Sequence, residues 1–239
     1  RRERLSICVA WLDLANAYGP VRHMLVQFAL KWYRVPRFIC KILFAYYEKI
    51  FAYVRTDSWD SDWFWIAIGV PQGCTASTII FDLVFQLLLD IHENMAHQYA
   101  FSMMKANIRL LHPSYADDTA LVSGSTRNNQ KSIDAFCSAL EWTVTLKLKP
   151  SKCRSLAYTF RKNKKSSSKS YQCFDPKLTI NGKIILSIDC DFVNNRIFKY
   201  LGLHIQHDLK SDRVCKIISE KLGSWLTLID STLLTGPMK

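Results

Sequence analysis

The chain has 239 residues, of which 49% are hydrophobic and 13% aromatic, and this composition excludes a disordered polar chain and predicts one domain, or one domain with an appendage. The 32 Lys and Arg residues outnumber the 20 Asp and Glu residues and give a net charge of +12. This excess favours an anionic partner, nucleic acid or an acidic membrane surface, and charge alone does not choose between them.

The eight cysteines occur singly, without the close pairs typical of a zinc site. We therefore expect reduced thiols in an intracellular protein of the cytoplasm or nucleus, in preference to a disulfide framework. The longest apolar stretch, Thr78 to Ile91, is interrupted by Asp82, Gln86 and Asp90, and no leader with a cleavage site opens the chain. The sequence predicts a protein that is neither secreted nor embedded in a membrane.

The first half of the chain alternates strand and helix patterns. Ile7 to Leu12 is an apolar run typical of a buried strand, and helical spacing follows each of Pro20 and Pro36. Two short apolar runs around the polar segment Thr56 to Asp62 predict a strand pair. Thr75 to His92 then predicts a long amphipathic helix, begun by hydroxylic residues able to cap it.

The second half begins with a predicted hairpin of Ile108 to Leu111 and Thr119 to Val122, with an acidic pair at its tip, followed by a helix through Ile133 and Leu140. Residues 161–171 are predicted to form a flexible basic loop, because the segment from Arg161 to Lys169 has no apolar residue. Further predictions are a type I′ hairpin at Asn181-Gly182, a strand pair or bend at Ile197 to Ile205, and an amphipathic helix at Val214 to Leu228.

Three carboxylates have positions that suit a metal site. Asp13 closes the first strand, and Asp117 and Asp118 occupy the predicted hairpin tip. Acids brought together repel one another unless a cation lies between them, and hard oxygen ligands suit Mg²⁺. The alternative is that Asp13 caps the following segment and that the acidic pair is an ordinary turn.

Several ordered segments resemble the motifs of a known family. Trp11 to Gly19, with an aromatic residue five positions after Asp13, resembles motif A of non-LTR retrotransposon reverse transcriptases. Gly69 to Ser77 resembles motif B, and Tyr115 to Asp118 resembles motif C. Leu148 to Ser155 resembles motif D, and Lys199 to Leu203 resembles the primer-grip segment. The resemblance covers about Ile7 to Ile205 and is carried by the order of the segments together.

The resemblance implies an α+β fold, the right-hand polymerase palm, in which helices back an antiparallel sheet with a ferredoxin-like split βαβ core. It implies a palm over residues 1–206 and the start of a thumb helix over residues 207–239. Because only twelve residues precede Asp13, we expect most of the fingers to be absent and the chain to be part of a larger polyprotein, with an endonuclease as a further possible part.

The resemblance also assigns the catalytic residues. Asp13 and Asp117 would hold two Mg²⁺ ions, with Mn²⁺ as an alternative, while Asp118 would support the site and the Leu14 carbonyl would complete a coordination sphere. Lys152 would approach the triphosphate and assist the departure of pyrophosphate. For Lys152, the alternative is an ordinary solvated lysine in a basic stretch.

Nucleotide and primer contacts follow in the same way. Tyr18 would stack under the incoming sugar and exclude a 2′-hydroxyl, although a core aromatic is the alternative. Gln72 and Gly73 would lie near the incoming nucleotide, and three primer-grip residues would shape a turn against the primer end: Tyr200, Leu201 and Gly202.

The implied function is RNA-templated DNA synthesis, which needs an RNA template, a DNA primer and deoxynucleoside triphosphates. Two alternatives stay open. One is a catalytically inactive nucleic-acid-binding remnant of such a polymerase, and the weaker one is a polymerase in a maturase-like or telomerase-like context.

Overall fold

The computed structural model describes residues 5–103, 107–162, 169–188, 198–205, 219–220, 222–224 and 227. Its contacts divide the chain into two compact units, Arg1–Cys190 and Asp191–Lys239. The predicted boundary between palm and thumb, after residue 206, lies inside the second unit and outside the described residues. Most of the predicted helix at Val214 to Leu228 also lies outside them, and its described residues 219–220, 222–224 and 227 are helical.

Four α-helices form in the described part of the first unit, and they confirm the helical patterns of the sequence. They are α1 (His23–Trp32), α2 (Arg37–Glu48), α3 (Thr75–Ala96), which a 3₁₀ turn (His97–Tyr99) extends, and α4 (Thr126–Thr143). Pro36 is the N-cap of α2, and the Ser125 hydroxyl caps α4 by accepting a hydrogen bond from the Asn128 N–H at 3.2 Å.

The predicted hydroxylic cap of α3 is wrong. The N-cap is Cys74, without a side-chain cap hydrogen bond. Thr75 already lies inside the helix, and the Ser77 side chain is buried against the core. A hydroxyl group caps a helix only from the position before the first helical residue.

A six-stranded sheet carries the first unit. Its strands are β1 (Ile7–Leu12), β6 (Ser114–Tyr115), β7 (Asp118–Ser123), β8 (Arg154–Lys162), β9 (Lys169–Phe174) and β12 (Leu186–Ser187). The order is β12-β8-β1-β7-β6, and β9 also pairs with β8. The expected antiparallel sheet is therefore mixed, because β12 runs parallel to β8 while the other pairs are antiparallel.

The core lies between one face of this sheet and the helices. In β1, Cys8, Ala10 and Leu12 alternate along the strand and belong to the main buried cluster, as a period of two residues requires. Phe81 of α3 and Phe136 of α4 are among the largest fully buried side chains. The long helix α3 is thus a core helix of the first unit.

The helix α3 with its 3₁₀ extension, Thr75–Tyr99, is also long and apolar enough to cross a membrane by length and composition alone. Half of its most apolar window is buried inside the first unit. Packing in a protein core accounts for the same composition, so the expected absence of a membrane stays a prediction.

The acidic hairpin differs from its prediction in one strand. β7 pairs with Ser114–Tyr115, whereas Ile108–Leu110 (β5) pairs with Phe101–Met103 (β4). The cause is local, since β4 directly precedes β5 in the chain and adjacent strands pair readily. The segment after β5 still runs beside β7, because the Val122 N–H donates to the Leu111 carbonyl at 2.8 Å.

The basic loop is shorter than predicted. β8 and β9 extend into it from both sides and pair as far as Lys162 and Lys169, and residues 163–168 lie outside the described residues. Main-chain hydrogen bonds hold such a two-stranded ribbon together, so it forms without the apolar alternation on which the prediction relied.

Three smaller hairpins match the predicted ones. They are β2–β3 (Phe51–Ala52 and Phe64–Trp65), β10–β11 (Thr179–Ile180 and Lys183–Ile184) and, in the second unit, β13–β14 (Phe198–Tyr200 and Leu203–Ile205). At the β10–β11 turn, Asn181 and Gly182 have φ values of 48° and 75°. Positive φ at both central residues confirms the predicted type I′ turn.

Candidate functional site

The predicted acidic residues meet at one end of the central sheet. β1 and β7 are antiparallel, and their last pair joins Leu12 to Thr119. Asp13 follows Leu12 and Asp118 precedes Thr119, so these two carboxylates continue the same pair of strands. Asp117 lies in the turn before β7. The strand register therefore brings the three acids to one place.

The turn that presents Asp117 has an unusual backbone. Its first central residue, Ala116, has a φ of 51°, in the left-handed region that residues with a Cβ rarely adopt. Such a conformation costs on the order of 1–3 kcal/mol and persists where the surrounding structure holds it. Here the pairing of Tyr115 with Asp118 closes the turn.

The three carboxylates interact electrostatically. The pKa of Asp118 is raised above its usual value, first by burial and then by the charges of Asp117 and Asp13. Like charges that raise one another's proton affinity also favour a bound cation, which removes the repulsion.

The backbone of Asp13 is held by the segment after α4. The Asp13 N–H donates to the Cys153 sulfur at 3.4 Å, and the Lys149 N–H donates to the Asp13 carbonyl at 2.8 Å. Burial raises the pKa of the Cys153 thiol to about 11, so the group stays neutral at physiological pH and its S–H donates to the Lys149 carbonyl. Cys153 thus links the predicted motifs A and D.

Lys152 lies beside the acidic site. Its Nζ is 3.9 Å from Asp13 Oδ2, and 60% of its side chain is exposed. The tight turn that presents it is closed by the Lys152 N–H, which donates to the Lys149 carbonyl at 2.9 Å. An exposed ion pair of this length holds a side chain weakly, so the ammonium group can move to an incoming anion.

The donor set fits a divalent ion. Asp13 Oδ2 is buried and has no hydrogen-bond partner among the described residues. Within the described ranges, no three His, Cys, Asp or Glu side chains form a ready-made metal cluster. Mg²⁺ suits this arrangement, since it is often bound by one or two carboxylates and completed by water and substrate phosphates.

Tyr18 packs against the core helix. Its half-buried ring stacks on Phe81 with centroids 4.6 Å apart and an interplanar angle of 19°, and Phe81 stacks in turn on Phe85. This packing is the expected property of a core aromatic, and it restricts the movement of the ring. The predicted role of Tyr18 stays a prediction.

The predicted motifs A and B are joined at their bases. The Gly69 N–H donates to the Val21 carbonyl at 2.8 Å, and the Val70 N–H donates to the Tyr18 carbonyl at 3.0 Å. Gly69 has a φ of 101°, and a Cβ there would lie 2.8 Å from the Gly19 carbonyl oxygen. A glycine is therefore required at position 69 both by the backbone angle and by the close approach.

Gln72 and Gly73 are exposed in the loop that leads into α3. Gly73 has a φ of 89°, and a Cβ there would meet no atom within 4 Å. The glycine is thus required by the backbone angle alone, and the open space leaves this loop accessible to a ligand.

The sequence matches the family described as Reverse transcriptase (RNA-dependent DNA polymerase) over residues 1–205. The chain belongs to the reverse transcriptase family. The match includes the acidic end of the sheet, the loop before α3 and the β13–β14 hairpin. Among curated proteins, none matches the chain.

Membership gives the reverse transcriptase chain its general function and substrates. The family acts by RNA-directed DNA polymerisation, with an RNA template, a DNA primer and deoxynucleoside triphosphates, and it generally uses divalent metals such as Mg²⁺. The mixed sheet with helices on its core face is consistent with a polymerase palm.

The predicted primer-grip residues of this reverse transcriptase lie at a hairpin turn in the second unit. Tyr200 ends β13, and Leu201 and Gly202 form the turn with φ values of 47° and 79°. The sequence pattern thus locates the turn correctly, while the contact with a primer stays a prediction.

Two positioning residues of the reverse transcriptase chain were given no role by the motif pattern. One is Cys153, which sits beside the predicted Lys152. The other is Asn129 of α4, fully buried, whose amide donates to the Cys8 carbonyl at 2.9 Å and to the Leu121 carbonyl at 3.0 Å. Asn129 therefore fastens α4 to both strands that carry the acids, and an asparagine in a polar helix segment gives no indication of such burial.

Proposed function

We propose that this reverse transcriptase chain adds deoxynucleotides to the 3′-end of a primer on an RNA template by phosphoryl transfer with two Mg²⁺ ions, for which Mn²⁺ can substitute. The observation that carries the proposal is the meeting of three interacting carboxylates at the end of β1 and β7, with Lys152 beside them. Phosphoryl transfer depends on such positioning and charge compensation.

Asp13 and Asp117 would hold the ions, with the carbonyl of Leu14 as a further ligand and Asp118 as a supporting acid. When bound, the ions would lower the pKa of the attacking hydroxyl and offset the charge of the phosphates. The buried Oδ2 of Asp13, which has no hydrogen-bond partner among the described residues, supports its assignment as a ligand. The raised pKa of Asp118 supports a carboxylate that binds a proton when no cation is near.

Lys152 would orient the triphosphate and give a proton, or a compensating charge, to the departing pyrophosphate. Its distance of 3.9 Å from Asp13 Oδ2 and its exposure support this role, because the same ammonium can exchange the carboxylate for a phosphate. Tyr18, held by Phe81, would exclude a ribose 2′-hydroxyl, while Gln72 and Gly73 would line the nucleotide site. Tyr200, Leu201 and Gly202 would grip the primer.

The wider context belongs to the same proposal. The order of the motif segments supports a non-LTR retrotransposon origin, a palm with a split βαβ core, and a parent polyprotein that supplies fingers and thumb. The free thiols of six described cysteines support an intracellular location: Cys8, Cys40, Cys74, Cys137, Cys153 and Cys173.

A second candidate is a nucleic-acid-binding remnant without turnover. The observation in its favour is that the described residues contain no ready-made cluster of three metal-binding side chains. In that case the net charge of +12 would bind an RNA–DNA duplex through its phosphates, and the acids would be idle.

Primer extension separates the two candidates. The template–primer is poly(rA)–oligo(dT) with dTTP and Mg²⁺, and the variant is Asp117→Ala/Asp118→Ala. The matched control is Asp57→Ala/Asp62→Ala, which removes two exposed acids of the β2–β3 turn. We expect extension by the chain and the control, and a loss on the order of a hundredfold or more in the site variant.

Binding of the same duplex is measured alongside extension. Extension that the site variant retains would refute the roles of these acids. If this chain and a longer chain from the same gene both bind the duplex and neither extends it, the remnant is established. Extension by the longer chain alone would identify this chain as a fragment of an enzyme.

A further inference from the structure

A cleft lies on the first unit between the start of α1, the end of α2 and the β2–β3 hairpin. Its volume is about 440 Å³, within the range of roughly 300–1,000 Å³ typical of small-molecule sites. None of the residues that line it belongs to the acidic site, so a ligand bound here would not be the polymerase substrate in its reacting position.

The walls of the cleft combine flat apolar surfaces with polar groups. Trp65 and Phe44 supply aromatic surface, and Trp65 is 52% exposed. Arg22, Gln27 and Glu48 supply the polar groups, and in the part of the chain that the structure describes their side chains make no hydrogen bond or ion pair. An exposed aromatic ring beside unpaired donors and a carboxylate is the composition that recognises a nucleobase.

A buried tyrosine also borders the cleft. Tyr47 is 4% exposed, yet its hydroxyl has no hydrogen-bond partner among the described residues. Its ring lies 4.6 Å from the ring of His23, which also borders the cleft. Tyr47 and His23 therefore add aromatic surface to the lining of the cleft.

We propose that this cleft binds the guanine base of a guanosine nucleotide, either free or as an unpaired residue of RNA. Of the four RNA bases, guanine alone presents two adjacent N–H donors on one edge, which match the two oxygens of the Glu48 carboxylate. Its other edge presents the O6 and N7 acceptors that a guanidinium such as Arg22 recognises. The ring would stack on Trp65.

The site goes beyond the proposed polymerase function and is independent of it. None of the proposed metal ligands, Asp13, Asp117 and Asp118, lines the cleft. The Nε2 atom of His23 lies 3.0 Å from the Gly69 carbonyl oxygen, which places the cleft beside the connection between the predicted motifs A and B.

Calorimetric titration with each of the four nucleoside 5′-monophosphates, in EDTA, tests the proposal. A monophosphate is not a polymerase substrate, and EDTA removes metal-dependent binding at the acidic site. We expect GMP to bind about tenfold more tightly than AMP, CMP or UMP, since a two-point contact to a base discriminates by roughly this amount or more.

Four variants assign the contacts. Glu48→Gln should abolish the preference for GMP. Trp65→Leu should lower the affinity for all four nucleotides by about tenfold, because stacking on the indole ring is lost. The matched controls are Glu141→Gln and Trp63→Leu, an exposed glutamate of α4 and an exposed tryptophan beside β3 that do not line the cleft. Both controls should bind GMP as the unmodified chain does.

Short oligonucleotides separate the two sources of guanosine. If an RNA strand with a single unpaired guanosine binds far more tightly than GMP, RNA is the source of the guanosine. If the strand and GMP bind with equal affinity, the free nucleotide is the ligand. Both results support the site. Equal affinities for the four monophosphates, no binding of any of them, or a GMP preference that Glu48→Gln leaves unchanged would overturn it. Primer extension is scored separately, so a failure here does not affect the polymerase proposal.

Discussion

The buried His92 makes the stability of this chain sensitive to acid. Its ring is fully buried between α3 and α4, with Nε2 3.1 Å from the Ser132 carbonyl oxygen. Because a carbonyl oxygen can only accept, Nε2 carries the proton, and Nδ1 has no partner among the described residues. Burial, with the charge of His112, lowers the pKa of His92 from 6.5 to about 4.

The size of the effect follows from proton linkage. The unfolded chain binds a proton at His92 below pH 6.5, whereas the folded chain binds it only near pH 4. Stability therefore falls as the pH is lowered through this window, by about 2 kcal/mol at pH 5 and about 3 kcal/mol at pH 4. Well below pH 4 the contribution of His92 becomes constant, since both states are then protonated.

Urea unfolding followed by circular dichroism measures this contribution. His92→Gln keeps a donor for the Ser132 carbonyl and removes the titration. The unmodified chain should lose about 2 kcal/mol relative to this variant between pH 7 and pH 5. Glu93, which lies 3.2 Å from His112, and Arg109, which lies 3.8 Å from Glu93, are present in both proteins, so their direct contributions cancel in the comparison.

The control is His97→Gln, at an exposed histidine just beyond α3, which should follow the unmodified chain at every pH. A difference between the His92→Gln variant and the unmodified chain that does not change from pH 7 to pH 5 would refute the assignment of His92 as a buried neutral imidazole.

Three further predictions use the same unfolding assay or primer extension. Gly69→Ala should destabilise the chain by more than about 1 kcal/mol, because the added Cβ meets the Gly19 carbonyl. Gly124→Ala should not destabilise it, because the space around Gly124 is open. Equal effects of the two substitutions would contradict the close approach at Gly69. Asn129→Ala should cost about 1–3 kcal/mol by removing the two buried hydrogen bonds that its amide donates, and a neutral result would contradict the role of that amide. Lys152→Ala should slow primer extension about tenfold or more without changing the unfolding free energy, while an unchanged rate would indicate a merely solvated lysine.

The elements that the sequence predicts best are those with strong local signals. The buried strand Ile7–Leu12, the long helix α3 and the Asn181-Gly182 turn each depend on residues that are adjacent in the chain, so periodicity and turn chemistry suffice. The proximity of Asp13 and Asp118 could also be predicted from the sequence, because a hairpin tip and the end of a neighbouring strand lie at the same edge of a sheet.

The features that escaped prediction depend on pairing between distant residues. Ile108–Leu110 has the composition of a partner for β7, but composition does not record that Phe101–Met103 competes for it. The parallel addition of Leu186–Ser187 to β8 follows from packing of the whole sheet. Cys153, which holds Asp13 by its thiol, is one cysteine among eight until the fold brings it under the site.

The segments around Gly19 and Gly69 lie side by side and close a long loop of the first unit at its two ends. Two backbone hydrogen bonds, from Gly69 to Val21 and from Val70 to Tyr18, close this loop. The loop contains α1, α2 and the β2–β3 hairpin. Lengthening a closed loop costs little free energy, about 0.6 kcal/mol for each doubling. A change in the length of the β2–β3 turn therefore leaves the position of Asp13 unchanged. This turn is the expected point for evolutionary insertions and for the insertion of an engineered module.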